Sequence, residues 1–469
     1  MPDEGMPDDE CVSEGESLLV EHSDGRTFFL DIGTNGSATI GRMNVNMKPV
    51  IGEKYGTVFE LDRHHLIKVE GEGDLVPDFD DTVTLDQVVN DNRNFVDTNT
   101  AQKLKEEDIR KMKEGGMGGQ AIIEALMENS DTWGNKTQYS QAKWLRRKQQ
   151  KYRPRIRAMK VTGSSLCDAY FVKHRDKVCG LRSDTLALIL SNANVFAGAQ
   201  VLLLDSCMGV VTAAVLDRMG CRGRVMALYP GSHPSHDAVR RFAYSEEDLA
   251  RCLLPVPTSH LGRLADPGGE ESGEGWGKEE EGDGGKGDER TIEEILEEYG
   301  KFMDDHGVPA KNREKNFAKK LARMRRNKLR PPAHQVREWM REGSDCLIIA
   351  SKYDPTTSLH AMLPFLIPSR PFVVYSEFIE PLIACMRSLQ LTGAGIKLQL
   401  LDTWMREFQV LPGRTHPLNN MSSSGGYLLA GIRVLNKHDP QASNNVFSPN
   451  PLEEAKGRGR KRRKGGRDS

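Results

Sequence analysis

The chain has 469 residues, of which 38 % are hydrophobic and 45 are glycine, and this places it in the globular range of about 45–50 % apolar residues plus glycine. A fully disordered chain is therefore excluded, and the length leaves room for about two to four domains. The 65 Lys and Arg nearly balance the 67 Asp and Glu, so the net charge of −2 by itself indicates no class of partner.

Two further sequence features restrict the cellular context. There is no apolar run of about 18 residues, so no membrane span is expected, and the acidic N-terminus lacks the basic start of a secretory signal. The eight cysteines include no Cys-x-x-Cys pair, which disfavours a metal ribbon or a disulfide framework. A reducing compartment is the resulting expectation.

The N-terminal region is predicted to be a β domain. Residues 1–15 are acidic and poor in apolar side chains, which predicts a disordered tail. Short apolar runs follow, and Asp24-Gly25 and Asn35-Gly36 between them are hairpin signals. Short strands without helical sequence between them predict a small β-barrel or sandwich, and residues 16–95 are assigned to this domain.

Residues 96–157 are predicted to be a helical basic linker. Asn99 or Thr100 is a candidate N-cap, and glycines at 115–119 separate two helical stretches. The segment 143–157 concentrates the positive charge. Its cationic residues are Lys143, Arg146, Arg147, Lys148, Lys151, Arg153, Arg155 and Arg157, with Trp144 and Tyr152 between them.

Residues 158–435 alternate between strand and helix patterns. Strands are predicted at 200–205, 223–229, 345–350 and 371–375, followed by a closing antiparallel pair at 396–400 and 426–431. This order predicts a mainly parallel, doubly wound sheet. A flexible insertion is predicted at 262–333, with a Gly- and Glu-rich part at 265–298 and a basic helix at 311–330, and the basic tail 436–469 is predicted to be disordered.

The turn after the first strand of this sheet carries a nucleotide-type pattern that is incomplete. Cofactor folds of this kind place an acidic residue at the strand end and then three alternating glycines, which let the backbone approach the ligand. Here Asp205 is followed by Gly209 alone, with Cys207 and Val211 at the other two positions, where their side chains are expected to project into the cleft. The next strand ends at Tyr229 rather than at an acidic residue. This pattern favours a cofactor fold without its cofactor over an unusual cofactor site.

A second candidate site, at Asp354-Pro355, is weak. Asp354-Pro355 stands where a methyltransferase of this fold often has an Asp/Asn-Pro-Pro-aromatic motif, but threonines follow the single proline, which favours a surface turn.

Three basic blocks, at 143–157, 311–330 and 456–467, favour nucleic-acid binding over solvated helix faces, since Lys and Arg neutralise phosphates while aromatic rings stack on bases.

Several longer motifs resemble a known family. They are residues 91–97, 102–104, 119–141, 368–375, 404–417 and 425–429. Together they resemble the non-catalytic subunit of the eukaryotic tRNA adenine-58 N1-methyltransferase over most of residues 15–435. The resemblance implies a small N-terminal β-barrel, a Rossmann-like methyltransferase fold with a degenerate cofactor site, and no catalytic, cofactor or metal residues in this chain.

The resemblance also implies partners. It implies a two-plus-two heterotetramer with a catalytic subunit that binds S-adenosylmethionine, with tRNA lying across both subunit types. The candidate RNA contacts are Asn92, Arg93, Asn94, Lys143, Arg146, Arg147, Lys148, Lys151, Tyr152, Arg153, Lys352, Arg370, Arg406, Arg414 and His416. The last four cationic residues, from Arg370 onward, are expected at one sheet edge, as RNA or subunit contacts.

Two alternatives to this function remain open at the level of sequence. One is an active methyltransferase with a divergent cofactor turn, and the other is an interaction protein of the translation-factor type. The Lys461-Arg462-Arg463-Lys464 run is expected to act as a nuclear localisation signal or an accessory RNA contact, which predicts a nuclear protein.

Overall fold

The structure, a computed structural model, describes most of the chain between residues 11 and 435. The described residues are 11–32, 37–40, 43–62, 65–69, 75, 102–134, 138–231, 233–265, 297, 299–301, 321, 329–410, 415–422 and 424–435. The predictions for residues 1–10 of the acidic tail, for most of the insertion and for the basic tail lie outside these residues. For residues 11–15 the predicted disordered tail was wrong, because Cys11 bridges to Lys54 and Val12 is buried in the N-terminal core.

The N-terminal part contains strands, a helical segment and one returning strand. The elements are β1 (Ser17–His22), β2 (Thr27–Asp31), β3 (Ser37–Ile40), β4 (Met43–Asn46), β5 (Val58–Asp62), β6 (His65–Lys68), α1 (Glu106–Glu114), α2 (Gly119–Glu128), α3 (Gln138–Tyr152) and β7 (Arg155–Met159). The predicted turn at Asp24-Gly25 joins β1 to β2, with Gly25 at φ +85°. Helix α1 begins at Glu106, later than the predicted caps.

These strands form an open antiparallel sheet in the described residues. Its order is β2-β1-β7-β5-β6, so β7 is the central strand although it follows the helices in sequence. The helical segment predicted up to residue 157 thus ends at Tyr152. Among the described residues, β2 and β6 form the two edges and β3 pairs only with β4, so the predicted closed barrel is not confirmed.

One apolar core stabilises this sheet. Leu18, Phe59 and Ile156 from three strands are buried together with Val45 of the β3–β4 hairpin. The hairpin therefore covers one face of the five-stranded sheet, which removes apolar surface from water and gives the small domain its own core.

The second part alternates strands and helices. Its elements are α4 (Gly163–His174), α5 (Ser183–Asn192), β8 (Gln200–Asp205), α6 (Val210–Met219), β9 (Arg224–Tyr229), α7 (Glu246–Cys252), β10 (Leu253–Pro257), α8 (Leu261–Ala265), α9 (Ala333–Glu342), β11 (Cys346–Ala350), α10 (Pro355–Met362), β12 (Pro371–Ser376), α11 (Ile379–Thr392), β13 (Gly395–Asp402), β14 (Phe408–Gln409), β15 (His416–Pro417) and β16 (Tyr427–Arg433). Short 3₁₀ helices occur at Lys48–Val50, Arg175–Val178, Asp237–Arg241, Thr258–His260 and Leu363–Phe365.

The predicted doubly wound sheet is confirmed. Seven strands pair in the order β10-β9-β8-β11-β12-β16-β13. The first five are mutually parallel, and β16 runs antiparallel between β12 and β13, as predicted for the closing pair. The strand order reverses direction at β8 and β11, which is where open sheets of this type bind ligands, at the carboxyl ends of the strands.

Separate apolar cores cover the two faces of this sheet. In β8 the side chains alternate, so that Val201 and Leu203 pack with α4, α5 and α6 on one face. Leu202 and Leu204 pack on the other face with residues of α9, α10 and α11. A strand buried on both faces has a continuous apolar sequence, which explains why β8 was readily predicted.

Strand β10 was not predicted, because it contains Pro255 and Pro257. Proline lacks the N–H that a central strand needs and is tolerated at sheet edges. The strand occupies the edge beside β9, so its outer side has no strand partner in the described sheet.

The two parts of the chain contact each other through side chains. The Nη1 of Arg241 lies 2.8 Å from Oδ1 of Asp31 in β2, and its guanidinium carbon lies 5.0 Å from the ring centre of Phe29. Phe29 also contacts Tyr170 of α4, with ring centres 5.6 Å apart. None of the helices in the described residues combines the length and the apolar content that a membrane span requires.

Candidate functional site

The incomplete glycine turn lies at the point where ligands bind in this fold. It joins the carboxyl end of β8 to α6, and β8 stands between β9 and β11. Gly209 takes φ +81° just before the helix, a left-handed conformation that suits glycine. The turn therefore has a glycine in the left-handed conformation directly before α6.

The carboxylate of Asp205 accepts hydrogen bonds from the turn and from the start of α6. Oδ1 of Asp205 accepts a hydrogen bond from the backbone nitrogen of Cys207 at 2.6 Å. Oδ2 accepts from the nitrogen and the hydroxyl of Thr212 at 2.9 Å and 2.8 Å. Burial raises the pKa of Asp205, and these hydrogen bonds oppose that shift. Both oxygens thus hold the start of α6 in place.

The chain's own backbone lies against the remaining glycine. A β-carbon added to Gly209 would stand 2.9 Å from the α-carbon of His236 and 3.2 Å from the carbonyl oxygen of Ser235. The backbone nitrogen of Ala238 donates a hydrogen bond to the Met208 carbonyl at 3.1 Å. In a cofactor site the ligand would lie against this glycine. Here the backbone of residues 235–238 occupies that space.

Cys207 and Val211 do not project into an open cleft, and this expectation was wrong. Both side chains are fully buried in the core beneath the sheet, with Ala350 and Tyr375. Their positions are apolar because the turn packs inward as part of the fold. At the end of the neighbouring strand the residue is Tyr229, as the sequence indicated.

Asp354-Pro355 forms the start of α10. Oδ2 of Asp354 accepts hydrogen bonds from the backbone nitrogen and the hydroxyl of Thr357, each at 2.7 Å, while Pro355 occupies the first helical position. This is an N-cap arrangement, so the carboxylate has a structural role. In the described residues, no group of three or more His, Cys, Asp or Glu side chains is arranged to hold a metal ion.

The basic segment predicted to bind RNA divides into two structural parts. Its first part lies on α3, where Lys143, Arg146, Arg147 and Lys151 are exposed. Residues spaced by three and four positions lie on one helix face, so these four cations share a face. None of them forms an ion pair with a described residue. We refer to these four residues as the α3 basic face.

The aromatic residues of α3 have contacts within the protein. The ring of Trp144 packs against Trp133 with centres 4.8 Å apart. Nζ of Lys148 lies 5.3 Å from the Trp144 ring centre and 5.9 Å from that of Tyr152. Nζ of Lys113 in α1 lies 5.0 Å from the Tyr152 ring. Trp144, Tyr152 and Lys148 thus link α3 to the preceding residues, beside the α3 basic face.

The second part of the segment is engaged by acidic residues of the N-terminal sheet. Arg153 forms a two-point ion pair with Glu60 of β5, with both nitrogen–oxygen distances 2.7 Å. In β7, Arg157 lies 3.2 Å from Glu21 of β1. The hydrogen bond to Glu60 raises the pKa of Arg153. The Arg153 side chain therefore stabilises the sheet at this position.

The other predicted contacts are dispersed. Arg370 precedes β12 and pairs with Asp345 at 3.0 Å, so it lies at the edge opposite the carboxyl ends, and its expected clustering with the later residues was wrong. Lys352 follows β11, Arg406 follows β13, and His416 is the first residue of β15. Asn92, Arg93, Asn94 and Arg414 lie outside the described residues.

An exposed apolar stretch after β13 was not noticed in the sequence. Its members are Trp404, Met405, Phe408 and Val410, of which Trp404 and Val410 are about three-quarters exposed, at 76 % and 75 %. Large apolar side chains in adjacent exposed positions are typical of interaction surfaces. The clustering of four such residues within seven positions is the signal that could have revealed it. The backbone contact of His236 with Gly209 is non-local and left no such signal.

The chain is similar in sequence or in fold to several known proteins. The Gcd10p family profile matches residues 11–281. The tRNA (adenine(58)-N(1))-methyltransferase non-catalytic subunit TRM6 of Mus musculus is 29 % identical, covering 95 % of this chain and 94 % of that protein. Its namesake from Dictyostelium discoideum is 30 % identical, over 90 % of this chain and 79 % of that protein. The tRNA (m1A58) methyltransferase TrmI of Aquifex aeolicus aligns with a TM-score of 0.42 and 9 % identity, over 91 % of this chain and all of that one (100 %).

Proposed function

The chain belongs to the Gcd10p family, and we propose that it is the non-catalytic, tRNA-binding subunit of a tRNA adenine-58 N1-methyltransferase. In this role it positions tRNA for a catalytic partner subunit, which binds S-adenosylmethionine and transfers the methyl group. The chain itself is not an enzyme, in keeping with the names of its relatives.

The observation that carries this proposal is the state of the glycine turn. Cofactor sites of this fold need a backbone that the ligand can approach, and here the backbone at Ser235 and His236 fills that approach at Gly209. Both oxygens of Asp205 are also committed to hydrogen bonds within the turn. The residues present do not fit S-adenosylmethionine, so the methyl donor belongs in the partner.

Electrostatics supports a role in tRNA binding. The α3 basic face presents four cations without acidic partners among the described residues, and phosphate neutralisation by such cations supplies most of the affinity of sequence-independent RNA binding. The ion pair that Arg153 makes with Glu60 fixes the end of α3 on the N-terminal sheet. This ion pair connects the helix that carries the α3 basic face to the N-terminal sheet.

Exposed apolar surface supports a protein partner. The stretch from Trp404 to Val410 follows β13, the edge strand of the seven-stranded sheet. Large exposed apolar side chains beside an open sheet edge are typical of a surface that another chain covers. We place the contact with the catalytic subunit here, within a two-plus-two heterotetramer.

Reconstitution tests the function directly. The full chain is co-expressed with its catalytic subunit, and N1-methylation of adenosine 58 in tRNA is measured for the complex and for each subunit alone. Methylation by the complex together with inactivity of this chain alone is expected. Full activity of the catalytic subunit without this chain, or methylation by this chain alone, would contradict the proposal.

We further propose that the complex works in the nucleus. The basic run Lys461-Arg462-Arg463-Lys464 lies outside the described residues, and its four adjacent cations match what import receptors recognise. Imaging a fluorescent fusion with and without residues 456–469 tests this. Loss of nuclear accumulation is expected on deletion, and unchanged accumulation would exclude the run as the import signal.

A further inference from the structure

Two cysteines meet beside the glycine turn, and the proposed function uses neither thiol. Cys207 takes a glycine position in the turn after β8. Cys179 follows the 3₁₀ helix Arg175–Val178 with φ +54°, and it is half-buried. The two residues come from separate connections that converge at the carboxyl edge of the sheet.

The contacts of the two sulfurs show that the two cysteines are neighbours in the fold. Sγ of Cys179 lies 3.9 Å from the carbonyl oxygen of Ser206, the residue just before Cys207. Sγ of Cys207 lies 3.7 Å from the Ala350 carbonyl, and Cys179 packs against the buried cluster that contains Cys207. Both are free thiols. The hydroxyl of Tyr375 donates a hydrogen bond to the Cys179 carbonyl at 2.7 Å, which fixes the backbone at this residue.

The surroundings distinguish the two sulfurs chemically. The hydrogen bond with the Cys207 thiol and the positive charge of Lys352 lower the pKa of Cys179, while its burial and the carboxylates of Asp205 and Glu377 oppose this. The pKa of Cys207 is raised, by the same thiol pair and by its complete burial. The thiolate is the reactive form of cysteine, so Cys179 is the nucleophile and Cys207 the neighbour that can resolve it.

We propose that Cys179 and Cys207 form an oxidisable dithiol that closes a reversible intramolecular disulfide in response to hydrogen peroxide. In the first step the Cys179 thiolate attacks one peroxide oxygen, the O–O bond breaks, and hydroxide leaves and is protonated to water, which leaves sulfenic acid on Cys179. In the second step the Cys207 sulfur attacks the Cys179 sulfur, and the hydroxyl leaves as water with the Cys207 proton. A thiol reductant reverses the oxidation.

The other buried cysteines provide an internal comparison. Burial raises the pKa of Cys346 to about 12 and that of Cys385 to about 11. The side chains that act on these sulfurs are Asp345 and Arg370 at Cys346, and Thr356 and Asp354 at Cys385, and none of them is a cysteine. Because a thiol with a higher pKa has a smaller thiolate fraction, Cys179 should be oxidised before either of these two cysteines.

Mass spectrometry of the full chain, purified with its partner subunit, tests the proposal. The complex is treated with graded hydrogen peroxide, remaining thiols are alkylated, and tryptic peptides are analysed before and after reduction. A cross-linked pair of peptides containing Cys179 and Cys207, lighter by two hydrogen atoms than the sum of the reduced peptides and lost on reduction, is expected. The reduced form of Cys179 should disappear before that of Cys346.

Variants separate the two steps. In Cys207→Ser, sulfenic acid should persist on Cys179 and be trapped by a dimedone probe, whereas Cys179→Ser should abolish oxidation at Cys207. Cys11→Ser, at a cysteine distant in sequence and outside the pair, is the matched control and should leave the disulfide unchanged. Absence of the cross-linked peptide from the oxidised wild-type complex, or cross-linking of Cys221 to Cys252 in its place, would overturn the proposal without any variant.

Discussion

Arg153 and Glu60 form a two-point ion pair that joins the end of α3 to the N-terminal sheet. Nε and Nη2 of the arginine each lie 2.7 Å from one carboxylate oxygen, and Nη1 lies 3.0 Å from the side-chain oxygen of Gln120 in α2. Paired, planar contacts of this type are among the strongest side-chain hydrogen bonds. A residue within a basic run thus has a structural role.

Arg153→Gln is expected to lower the free energy of unfolding by about 1–2 kcal/mol, since the charged hydrogen bonds are lost while solvent screens part of their energy. The pair is partly exposed, at 30 % for Arg153 and 21 % for Glu60, which limits the effect. Chemical denaturation followed by circular dichroism measures it. Arg146→Gln on the same segment is the control and should leave the stability within about 0.5 kcal/mol. An Arg153→Gln protein with full stability but weakened tRNA binding would instead make Arg153 an RNA contact.

Charge reversal of the α3 basic face is expected to weaken tRNA binding by the complex. Each lost phosphate contact should lower the slope of log K against log salt by about 0.7–0.9, because fewer counterions are released. The change is Lys143, Arg146, Arg147 and Lys151 to Glu, and binding is measured over a series of salt concentrations.

The matched control reverses four exposed cations elsewhere: Lys173, Lys177, Arg222 and Arg240. These should leave the slope near that of the wild type. Equal slopes for the wild type and the α3 variant would show that the α3 basic face is only a solvated helix surface.

The purified chain is expected not to bind S-adenosylmethionine in titration calorimetry. Restoring the glycine pattern with Cys207→Gly and Val211→Gly should not create binding, because the backbone at Ser235 and His236 still lies against Gly209. Circular dichroism checks that this variant folds, and the catalytic subunit serves as the positive control. Micromolar binding to the wild-type chain alone would refute the prediction.

His236 is expected to make the stability of the protein pH-dependent. Burial, with a smaller effect of Arg330, lowers the pKa of His236 from 6.5 to about 4, against the opposite influence of Asp237. The unfolded state therefore takes up a proton near pH 6.5 that the folded state accepts only near pH 4. The free energy of unfolding therefore decreases as the pH is lowered from 6.5 to 4, by at most about 3 kcal/mol. Below pH 4 His236 causes no further decrease.

Unfolding free energies measured between pH 4 and 7 for wild type and His236→Leu test this. Both ring nitrogens of His236 are buried without hydrogen-bond partners in the described residues, so the leucine variant loses no such bond. It should show a flatter pH dependence, whereas His233→Leu, at an exposed position nearby, should retain the wild-type slope. Identical slopes in all three proteins would contradict the assignment.

Sequence patterns predicted those elements whose signals are local. β8 and β11 are continuous apolar runs because both faces of each are buried, and the Asp24-Gly25 hairpin has its own turn chemistry. β7 was missed because Arg155 and Arg157 were grouped with the basic segment. Their alternation with Ile156 and Ala158 is a strand pattern, with the arginines on the face that meets Glu60 and Glu21.

The candidate site was predicted only as far as its residues are adjacent in sequence. The incomplete glycine pattern was visible at Asp205 to Val211, and the inactive turn could be inferred from it. What covers Gly209 depends on a segment that returns from beyond β9, and the pairing of Arg370 with Asp345 depends on two strands meeting. A contact between two distant segments cannot be predicted from the sequence of either segment alone.

The central position of β7 has a consequence for how the protein is made. Residues 19 and 159 are partners across two strands, so the N-terminal sheet stays split into β1–β2 and β5–β6 until the ribosome has released the whole helical segment. Pairings between residues so far apart in sequence form slowly, because a long loop must close first. Because β7 follows the helices in sequence and pairs between β1 and β5, the basic helical segment is an internal loop of the N-terminal domain. A fragment cut within this segment would expose two unpaired strand edges to aggregation.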